Sequence, residues 1–257
     1  MIKTLNKEEW INIYDLLLRD PLRNYFNLLG LLGSKDIFKD IFIQEDNKGV
    51  ESLVFLRKSG TLKLFPVGEF DIKELSEFIK ELDFKKVVAP ESYCIKLCEL
   101  GVIKKISTVG YLAALDSKEK YAIDYDLDIR QLNVEDLREI EEIYKLTFKS
   151  YAPTEIMRSR LINSRGRAFG LFIDSNLIAV AQTDFENNSS ALIVGVATLP
   201  EHQNKGNSTN LMKYLINKLL DENRSISLEY ESEAVGRLYS NLGFEIVDRI
   251  NYYEKVR

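Results

Sequence analysis

The chain of 257 residues has one histidine, two cysteines and no long apolar run. One histidine (His202) and two cysteines (Cys94 and Cys98) are too few soft ligands for a zinc site, so we expect no metal. We interpret the cysteines as reduced structural thiols, which favours a cytoplasmic protein. No apolar run approaches the roughly 18 residues of a membrane-spanning helix, and residues 1–20 lack the apolar core of a signal peptide. We therefore expect no membrane partner.

The sequence also has fewer positively than negatively charged residues. The chain has 35 Lys and Arg residues against 40 Asp and Glu residues, which gives a formal net charge of −5. Nucleic-acid binding usually needs a basic face, so we expect no nucleic-acid partner. Hydrophobic residues make up 45% of the chain, enough for substantial cores, and the length suits two domains.

The apolar pattern predicts an α/β (α+β) chain of two domains. The charged segment Leu115–Asp128 has no clear period, so we place the junction there and predict domains at 1–120 and 126–257. In the second domain, Ala191–Thr198 and Ser225–Tyr230 are predicted strands with a helix between them. That order predicts a parallel pair inside an otherwise antiparallel sheet.

The stretch GVATLPEHQNKGNS (Gly195–Ser208) predicts a strand, a polar loop and the start of an amphipathic helix. The first turn of a helix has N–H groups without intrahelical partners and a partial positive charge, which suits an anion. Gly206 allows close approach, Lys205 adds positive charge and Ser208 adds a hydroxyl, so this corner predicts a phosphate site. It is not a P-loop, because Lys205 precedes the glycine and no earlier glycine stands at the required distance.

These residues resemble the coenzyme-A signature of the GNAT N-acyltransferase superfamily. The segment from Val196 to Ser208 reads V-x-T-x-P-x-x-Q-x-x-G-x-S and contains the core Q/R-x-x-G-x-G/A. The segment RLYSNLGF, from Arg237 to Phe244, resembles the L-Y-x-x-L-G-F motif of the same family. The sequence departs from the family at Ser208, which replaces glycine or alanine, and at Ser232, where the family often has an asparagine that reaches pantetheine.

The resemblance implies acetyl-CoA or coenzyme A as cosubstrate, bound where a bulge splays Ala191–Thr198 from the next strand. The backbone of Val196, Ala197 and Thr198 would line this cleft, with the Val196 N–H on the thioester carbonyl and Ser232 near the pantetheine. Backbone amides of the loop would hold the pyrophosphate. The phosphate-binding residues implied are Gln203, Asn204, Lys205, Gly206, Asn207 and Ser208.

The resemblance also implies a role for Tyr239 as the general acid that protonates the leaving thiolate. A base must take a proton from the amine, and Glu186, Glu229 and Glu231 are the candidate carboxylates. We set His202 aside because it lies in the phosphate loop.

The first half resembles a degenerate copy of the second. CIKLCELGVIKKI from Cys94 aligns with VGRLYSNLGFEIV from Val235, so Leu97 stands where Tyr239 does. Glu69 and Asp71 stand near the helix start that corresponds to the phosphate loop, and acids repel phosphate. We therefore expect two GNAT-like domains, each a mixed, mostly antiparallel sheet flanked by helices, with no coenzyme A in the first. Whether the first domain shapes the acceptor pocket or only supports the second stays open.

The function predicted from the resemblance is acetyl transfer from acetyl-CoA to a primary amine, by direct attack in a ternary complex. The acceptor could be a small molecule or a peptide. Two alternatives remain: a non-catalytic acyl-CoA-binding or regulatory module, and an enzyme that transfers another acyl group. The sequence leaves the oligomeric state open.

Overall fold

A computed structural model describes residues 1–33, 37–124 and 126–256 of the chain. The chain divides into two compact units, Met1–Leu112 with Ile246–Arg257, and Ala113–Glu245. Each unit contains a mixed, mostly antiparallel sheet flanked by helices, which confirms the predicted α/β class. Among the described residues, no helix combines the length and hydropathy needed to cross a bilayer.

The first unit contains a parallel strand pair within an antiparallel sheet. Its strands are β1 (Ile2–Thr4), β2 (Phe38–Asp46), β3 (Gly49–Arg57), β4 (Thr61–Pro66), β5 (Lys86–Pro90), most of β6 (Ile103–Leu115) and most of β12 (Phe244–Lys255). Its helices are a 3₁₀ helix (Glu9–Ile13), α1 (Tyr14–Leu17), α2 (Pro21–Leu32), α3 (Ile72–Glu81) and α4 (Glu91–Glu99). The strand order is β1-β2-β3-β4-β5-β12-β6, and β4 and β5 pair in parallel.

The second unit has the same kind of sheet. Its strands are β7 (Asp128–Leu132), β8 (Ala168–Ile173), β9 (Asn176–Asp184), β10 (Ser190–Thr198) and β11 (Ser225–Tyr230). Its helices are α5 (Leu137–Thr147), α6 (Thr154–Ile162), α7 (Asn207–Asp221), α8 (Glu233–Asn241) and two 3₁₀ helices, Val134–Asp136 and Pro200–His202. The order is β11-β10-β9-β8-β7. The predicted parallel pair is β10 and β11, whereas β7 was not predicted.

Local sequence signals fix the elements that carry the site. The apolar stripe of α7 is buried, with Leu211, Leu215 and Leu219 each 0% exposed, so the polar start of this helix is left at the surface. Asn133 caps the segment before α5 by accepting a hydrogen bond from the Glu135 amide at 2.7 Å. The buried stripe packs α7 against the core, and the cap fixes the start of the helical segment that leads into α5.

The two units differ from the predicted domains at both boundaries. The second domain was predicted to run to residue 257, but β12 pairs with β5, with Ile250 opposite Pro90 and Tyr253 opposite Val87. The last strand therefore belongs to the first unit from Ile246 onward. The predicted junction includes Tyr125, which lies outside the described residues.

Part of that predicted junction is packed rather than free. The Tyr121 amide donates to Asn217 Oδ1 at 2.9 Å, and Asn217 Nδ2 donates to the Tyr121 carbonyl at 2.9 Å. These two hydrogen bonds join the segment to α7, so it belongs to the second unit although its charged composition suggested a linker.

Candidate functional site

Strand β10 carries a bulge near its end. Val194 lies opposite Gln182 of β9, but the next registered pair is Ala197 with Val180, so β10 has one extra residue between them. Gly195 sits in this bulge with φ +59°, a left-handed conformation that glycine adopts at little cost. The sequence resemblance implied a bulge in this strand.

The bulge is also the point where β10 leaves β11. Their parallel pairing runs from Ser190, opposite Ser225, to Ile193, opposite Leu228, and in the described part of the chain it stops there. Residues 194–196 are only half-buried, although both their neighbours in β10 are buried. The backbone of Val196 is thus placed at the edge of an opening between two parallel strands.

The start of α7 is not capped by the protein itself. The helix begins after Gly206, which has φ +82°, and within the described part of the chain its start has no side-chain cap hydrogen bond. A Cβ added to Gly206 would meet no atom within 4 Å, so the space above this backbone is open. The exposed Lys205 precedes it. Free N–H groups, the helix dipole and an ammonium group together suit a phosphate.

The other polar side chains of the corner shape the loop. Gln203 Nε2 donates to the Thr198 carbonyl at 2.9 Å, and Asn207 Nδ2 donates to the His202 carbonyl at 2.8 Å. The hydroxyls of Thr198 and Ser208 lie 2.6 Å apart and hydrogen-bond to each other. These contacts tie the end of β10 to the start of α7. The groups left to bind an anion are therefore mainly backbone amides and Lys205.

Tyr239 is a buried phenol beside the opening. Its side chain is held by two aromatic rings, with centroid distances of 5.5 Å to Tyr230 and 6.0 Å to Phe244. Burial raises the pKa of Tyr239 to about 12, so this hydroxyl keeps its proton at neutral pH. The described residues offer its oxygen no hydrogen-bond partner. Such a group can donate a proton to a bound molecule.

Glu229 and Tyr230 lie at the end of β11. They follow Leu228, the last residue of β11 that pairs with β10, so both lie beyond the paired part of the two strands. Successive side chains of a strand point to opposite faces. Glu229 therefore lies on the opposite face from Tyr230, whose ring contacts Tyr239.

Glu186, the first of the candidate bases, lies at the other end of β10. Its carboxylate accepts hydrogen bonds from Arg167 Nε at 3.0 Å, from Arg224 Nη1 at 2.6 Å and from the Thr183 hydroxyl. It precedes Ser190, and at about 3.3 Å per residue the six residues from Ser190 to Val196 span roughly 20 Å. This geometry does not favour Glu186 as the base.

The surroundings of Glu186 have a structural explanation. Glu186, Arg167, Arg224 and Glu222 form one network of ion pairs with nitrogen–oxygen distances of 2.6–2.9 Å. They line a cavity of about 620 Å³ between the end of β7 and the end of α6. The hydrogen bond from Arg167 holds the pKa of Glu222 below its usual range. All four charges are thus matched within the network.

Ser232 acts as the N-cap of α8. Its side-chain oxygen accepts a hydrogen bond from the Val235 amide at 3.4 Å. The hydroxyl proton can still be donated outward, because the residue is exposed. The family's asparagine at this position reaches further, so any contact of Ser232 with pantetheine is the weaker one.

The corresponding corner of the first unit is closed by the protein's own groups. Asp71 caps α3 by accepting hydrogen bonds from the amides of Lys73 at 2.9 Å and Glu74 at 3.1 Å. The Glu74 carboxylate in turn accepts from the Ile2 amide at 3.1 Å and from Gln44 Nε2 at 2.9 Å. An acid already occupies the position that a phosphate would take at this helix.

One residue that contacts the bulge, Tyr144 of α5, was not predicted from the sequence. Its hydroxyl donates to the Gly195 carbonyl at 2.7 Å. Tyr144 is 2% exposed and lies among the buried residues of α5, which is also how an ordinary core residue is placed, so the sequence holds no signal for its contact with β10.

Comparisons with known proteins agree with this geometry. Residues 128–247 match the family model described as an acetyltransferase (GNAT) domain. A comparison with curated proteins gives no match for this sequence. The match to residues 128–247 confirms the resemblance of the two motifs to the GNAT family.

Solved structures of the same fold cover the whole chain. An acetyltransferase of the GNAT family from Colwellia psychrerythraea is 14% identical with a TM-score of 0.76, over 99% of both chains. A tandem GNAT protein from the clavulanic acid biosynthesis pathway is 14% identical with a TM-score of 0.62, over 98% of this chain and 97% of its own. A GCN5-related N-acetyltransferase from Sphaerobacter thermophilus is 11% identical with a TM-score of 0.64, over 100% and 96%. At these identities the likeness concerns the fold.

The family and the fold imply an acyltransferase that uses an acyl-CoA cosubstrate. The residues present at the α7 corner fit the phosphates of coenzyme A. The first turn lacks a side-chain cap, the backbone above Gly206 is open, and the neighbouring charge is the positive one of Lys205.

Proposed function

We propose that the chain is an acetyl-CoA-dependent N-acetyltransferase that moves an acetyl group directly to a primary amine in a ternary complex. The observation that carries this proposal is the uncapped start of α7 beside the point where β10 leaves β11. A pyrophosphate bound at the start of α7 would place the attached pantetheine chain in the opening between β10 and β11. The acceptor is a small molecule or a peptide amine.

In this proposal the backbone amides of the loop bind the pyrophosphate of the cosubstrate. Lys205 supplies charge, and Gln203, Asn207 and Ser208 hold the loop in shape through the contacts described above. Asn204 contributes its amide in a left-handed conformation, with φ +59°. Val196, Ala197 and Thr198 offer backbone groups to pantetheine, and Ser232 offers its hydroxyl proton.

Two groups of the chain, the Val196 N–H and the Tyr239 hydroxyl, act on the thioester. Acetyl-CoA, when bound, supplies an acyl group activated as a thioester. The Val196 N–H donates to the carbonyl oxygen, where negative charge builds as the amine attacks. Tyr239 donates its proton to the sulfur that leaves. Because its pKa is raised, the hydroxyl carries its proton at neutral pH and has one to donate to the thiolate.

Of the three candidate bases, we retain Glu229. It follows the last residue of β11 that pairs with β10, on the face of β11 opposite to Tyr230, and therefore on the opposite face from Tyr239. The amine can then lose its proton on one side of the sheet while the thiolate gains one on the other. Glu231 is exposed beyond the end of β11, and Glu186 is held in its ion-pair network.

We further propose that the first unit is a tandem GNAT-like copy without its own cosubstrate, because Asp71 caps α3. The free thiols of Cys94 and Cys98 favour a reducing compartment, which we take to be the cytoplasm.

Binding and turnover can be tested in sequence. Coenzyme A and acetyl-CoA at about 100 times their dissociation constants should each add about 2.7 kcal/mol to the free energy of unfolding, seen as a thermal shift. Release of free thiol is then followed across a panel of amines and peptides. Lys205→Ala should weaken binding most at low salt, whereas Lys218→Ala in the last turn of the same helix should not.

The outcomes separate the alternatives. No binding of either ligand would remove the proposal, since the phosphate corner is its foundation. Tight binding without thiol release from any amine would favour the non-catalytic acyl-CoA-binding module. Turnover with a longer acyl-CoA, but not with acetyl-CoA, would favour transfer of another acyl group.

A further inference from the structure

The peptide unit between Gly195 and Val196 is fixed by a side chain from another element. Its carbonyl accepts a hydrogen bond of 2.7 Å from the Tyr144 hydroxyl. Gly195 has no side chain to interfere, and a Cβ there would lie 2.1 Å from that hydroxyl oxygen. The glycine and the tyrosine therefore form a matched pair.

A hydrogen bond to this carbonyl also determines where the Val196 N–H points. The described chain contains no cis peptide bond, so the carbonyl of Gly195 and the N–H of Val196 point in opposite directions from one planar unit. Fixing the carbonyl towards α5 directs the N–H away from α5. A hydrogen-bonded carbonyl also polarises its own amide, which makes the N–H a better donor.

Without this contact the peptide unit would have weak restraints. Gly195 allows rotation that other residues would resist, and the unit lies in the extra segment of the bulge, where β9 offers no registered partner. Tyr144 itself is rigid. Its ring is 2% exposed and packs against Phe148 at 5.1 Å and Tyr151 at 5.5 Å.

We infer that Tyr144 is a positioning residue that aims the Val196 N–H at the carbonyl oxygen of the acyl group. This inference rests on the proposed function, in which that N–H stabilises the developing charge. The benefit of a well-aimed donor is greatest when charge has built on the oxygen. Loss of the Tyr144 hydroxyl should therefore lower kcat and leave the KM for acetyl-CoA nearly unchanged.

The test compares Tyr144→Phe, which keeps the ring and its packing, with Tyr214→Phe as a control. Tyr214 lies on α7 and packs against Phe169 at 5.8 Å, away from the bulge. We expect about a tenfold fall in kcat for Tyr144→Phe, because the Gly195–Val196 peptide loses the hydrogen bond that orients the Val196 N–H. Amide hydrogen exchange of residues 193–198 in the free protein should become faster in this variant and stay unchanged in the control.

Each result bears on the inference. A kcat equal to wild type, or an equal fall in kcat and rise in KM, would overturn it, as would unchanged exchange at residues 193–198. If the wild-type chain turns over no amine, the proposed function fails, and the exchange experiment still decides whether Tyr144 holds this peptide.

Discussion

At the scale of single residues, the acid and the base of the proposed reaction depend on different physical causes. Tyr239 is made a proton donor by burial alone, since desolvation raises its pKa. Glu229 is selected by its place in the register of β11. A substitution at either residue tests one of these causes separately.

Removal of the Tyr239 hydroxyl should abolish most of the activity and little of the stability. Tyr239→Phe keeps the ring between Tyr230 and Phe244 and removes an oxygen without a described protein partner. We expect kcat to fall by about 100-fold or more, the usual contribution of a general acid, with Tm and coenzyme A affinity preserved. Steady-state kinetics and calorimetry check this, and unchanged kcat would remove Tyr239 from the mechanism.

The pKa of Tyr239 also predicts a pH dependence of stability. An unfolded tyrosine has a pKa of about 10, whereas burial raises the folded value to about 12. The folded state therefore binds more protons between these values, and the contribution of Tyr239 is complete below pH 10 and is lost as pH rises through 12. Urea unfolding should show a smaller alkaline loss of stability in Tyr239→Phe than in wild type.

Replacing Glu229 should slow the reaction in a way that alkaline pH corrects. Glu229→Gln cannot take the proton of an ammonium group, so kcat/KM at pH 7 should fall by about 100-fold. As pH approaches the pKa of the acceptor amine, free amine accumulates and the difference from wild type should shrink. Glu231→Gln, two residues away and exposed, is the control. A ratio of kcat/KM between Glu229→Gln and wild type that stays the same at every pH would contradict the role of Glu229 as base.

Glu186 shows why spacing in the sequence does not by itself locate a site residue. It is ten positions before Val196, which suggests proximity, but the chain must pass along β10 before it reaches the bulge. The residues of the phosphate corner were predictable because they follow one another in the sequence. Glu229 is placed at the end of the β10–β11 pairing only by strand register, and Tyr144 reaches Gly195 from a separate helix, α5.

At the scale of elements, α3 and α7 occupy equivalent places in the two units but have different N-terminal caps. Asp71 supplies α3 with two hydrogen bonds and a negative charge, whereas α7 begins at a left-handed glycine without a cap. A capped helix start is satisfied, and an uncapped one is stabilised further by an external anion. The difference predicts where ligand binding occurs.

Two left-handed glycines allow this prediction to be tested with matched backbones. Gly206 has φ +82° and Gly101 has φ +65°, and a Cβ at either would meet nothing within 4 Å. Alanine at each should cost about 1–2 kcal/mol from left-handed strain. Only Gly206→Ala should also weaken coenzyme A binding, because its methyl group fills the space above the α7 corner. Urea unfolding measures the loss of stability, and isothermal calorimetry measures the affinity for coenzyme A. Equal affinities of the two variants for coenzyme A would argue against a phosphate site at the start of α7.

Elements with strong local signals were predictable, and those defined by their partners were not. The limits of β11 were predicted without error, and α4 stops before Gly101 as its left-handed φ requires. Near the start of the chain, Glu9–Ile13 form a 3₁₀ helix that is followed directly by the short α1 (Tyr14–Leu17). β7 lies in a charged segment, and its strand form comes from pairing with β8. No local pattern shows that β12 pairs with β5.

At the scale of the whole molecule, the two units repeat one order of elements. Each has a strand, a helix, a parallel strand and a second helix, namely β4-α3-β5-α4 and β10-α7-β11-α8. Each second helix is followed by a left-handed glycine, Gly101 and Gly243. Buried Leu97 takes the place of Tyr239 in the first unit. The repetition concerns the order of elements, whereas Tyr239 and the uncapped helix start occur in the second unit.

The chain should therefore bind one acyl-CoA. In the first unit the cap at Asp71, the Glu74 carboxylate and the contact of Phe65 with Tyr93 at 6.0 Å occupy the corner and its neighbouring strand end. Calorimetric titration of the full chain with acetyl-CoA should give a stoichiometry near one. Asp71→Ala should lose about 1 kcal/mol of stability with the cap and gain no second site, since Glu74 still repels phosphate there. A stoichiometry near two, or full binding by a chain whose α7 corner is blocked by Gly206→Trp, would show that the first unit kept a working phosphate site.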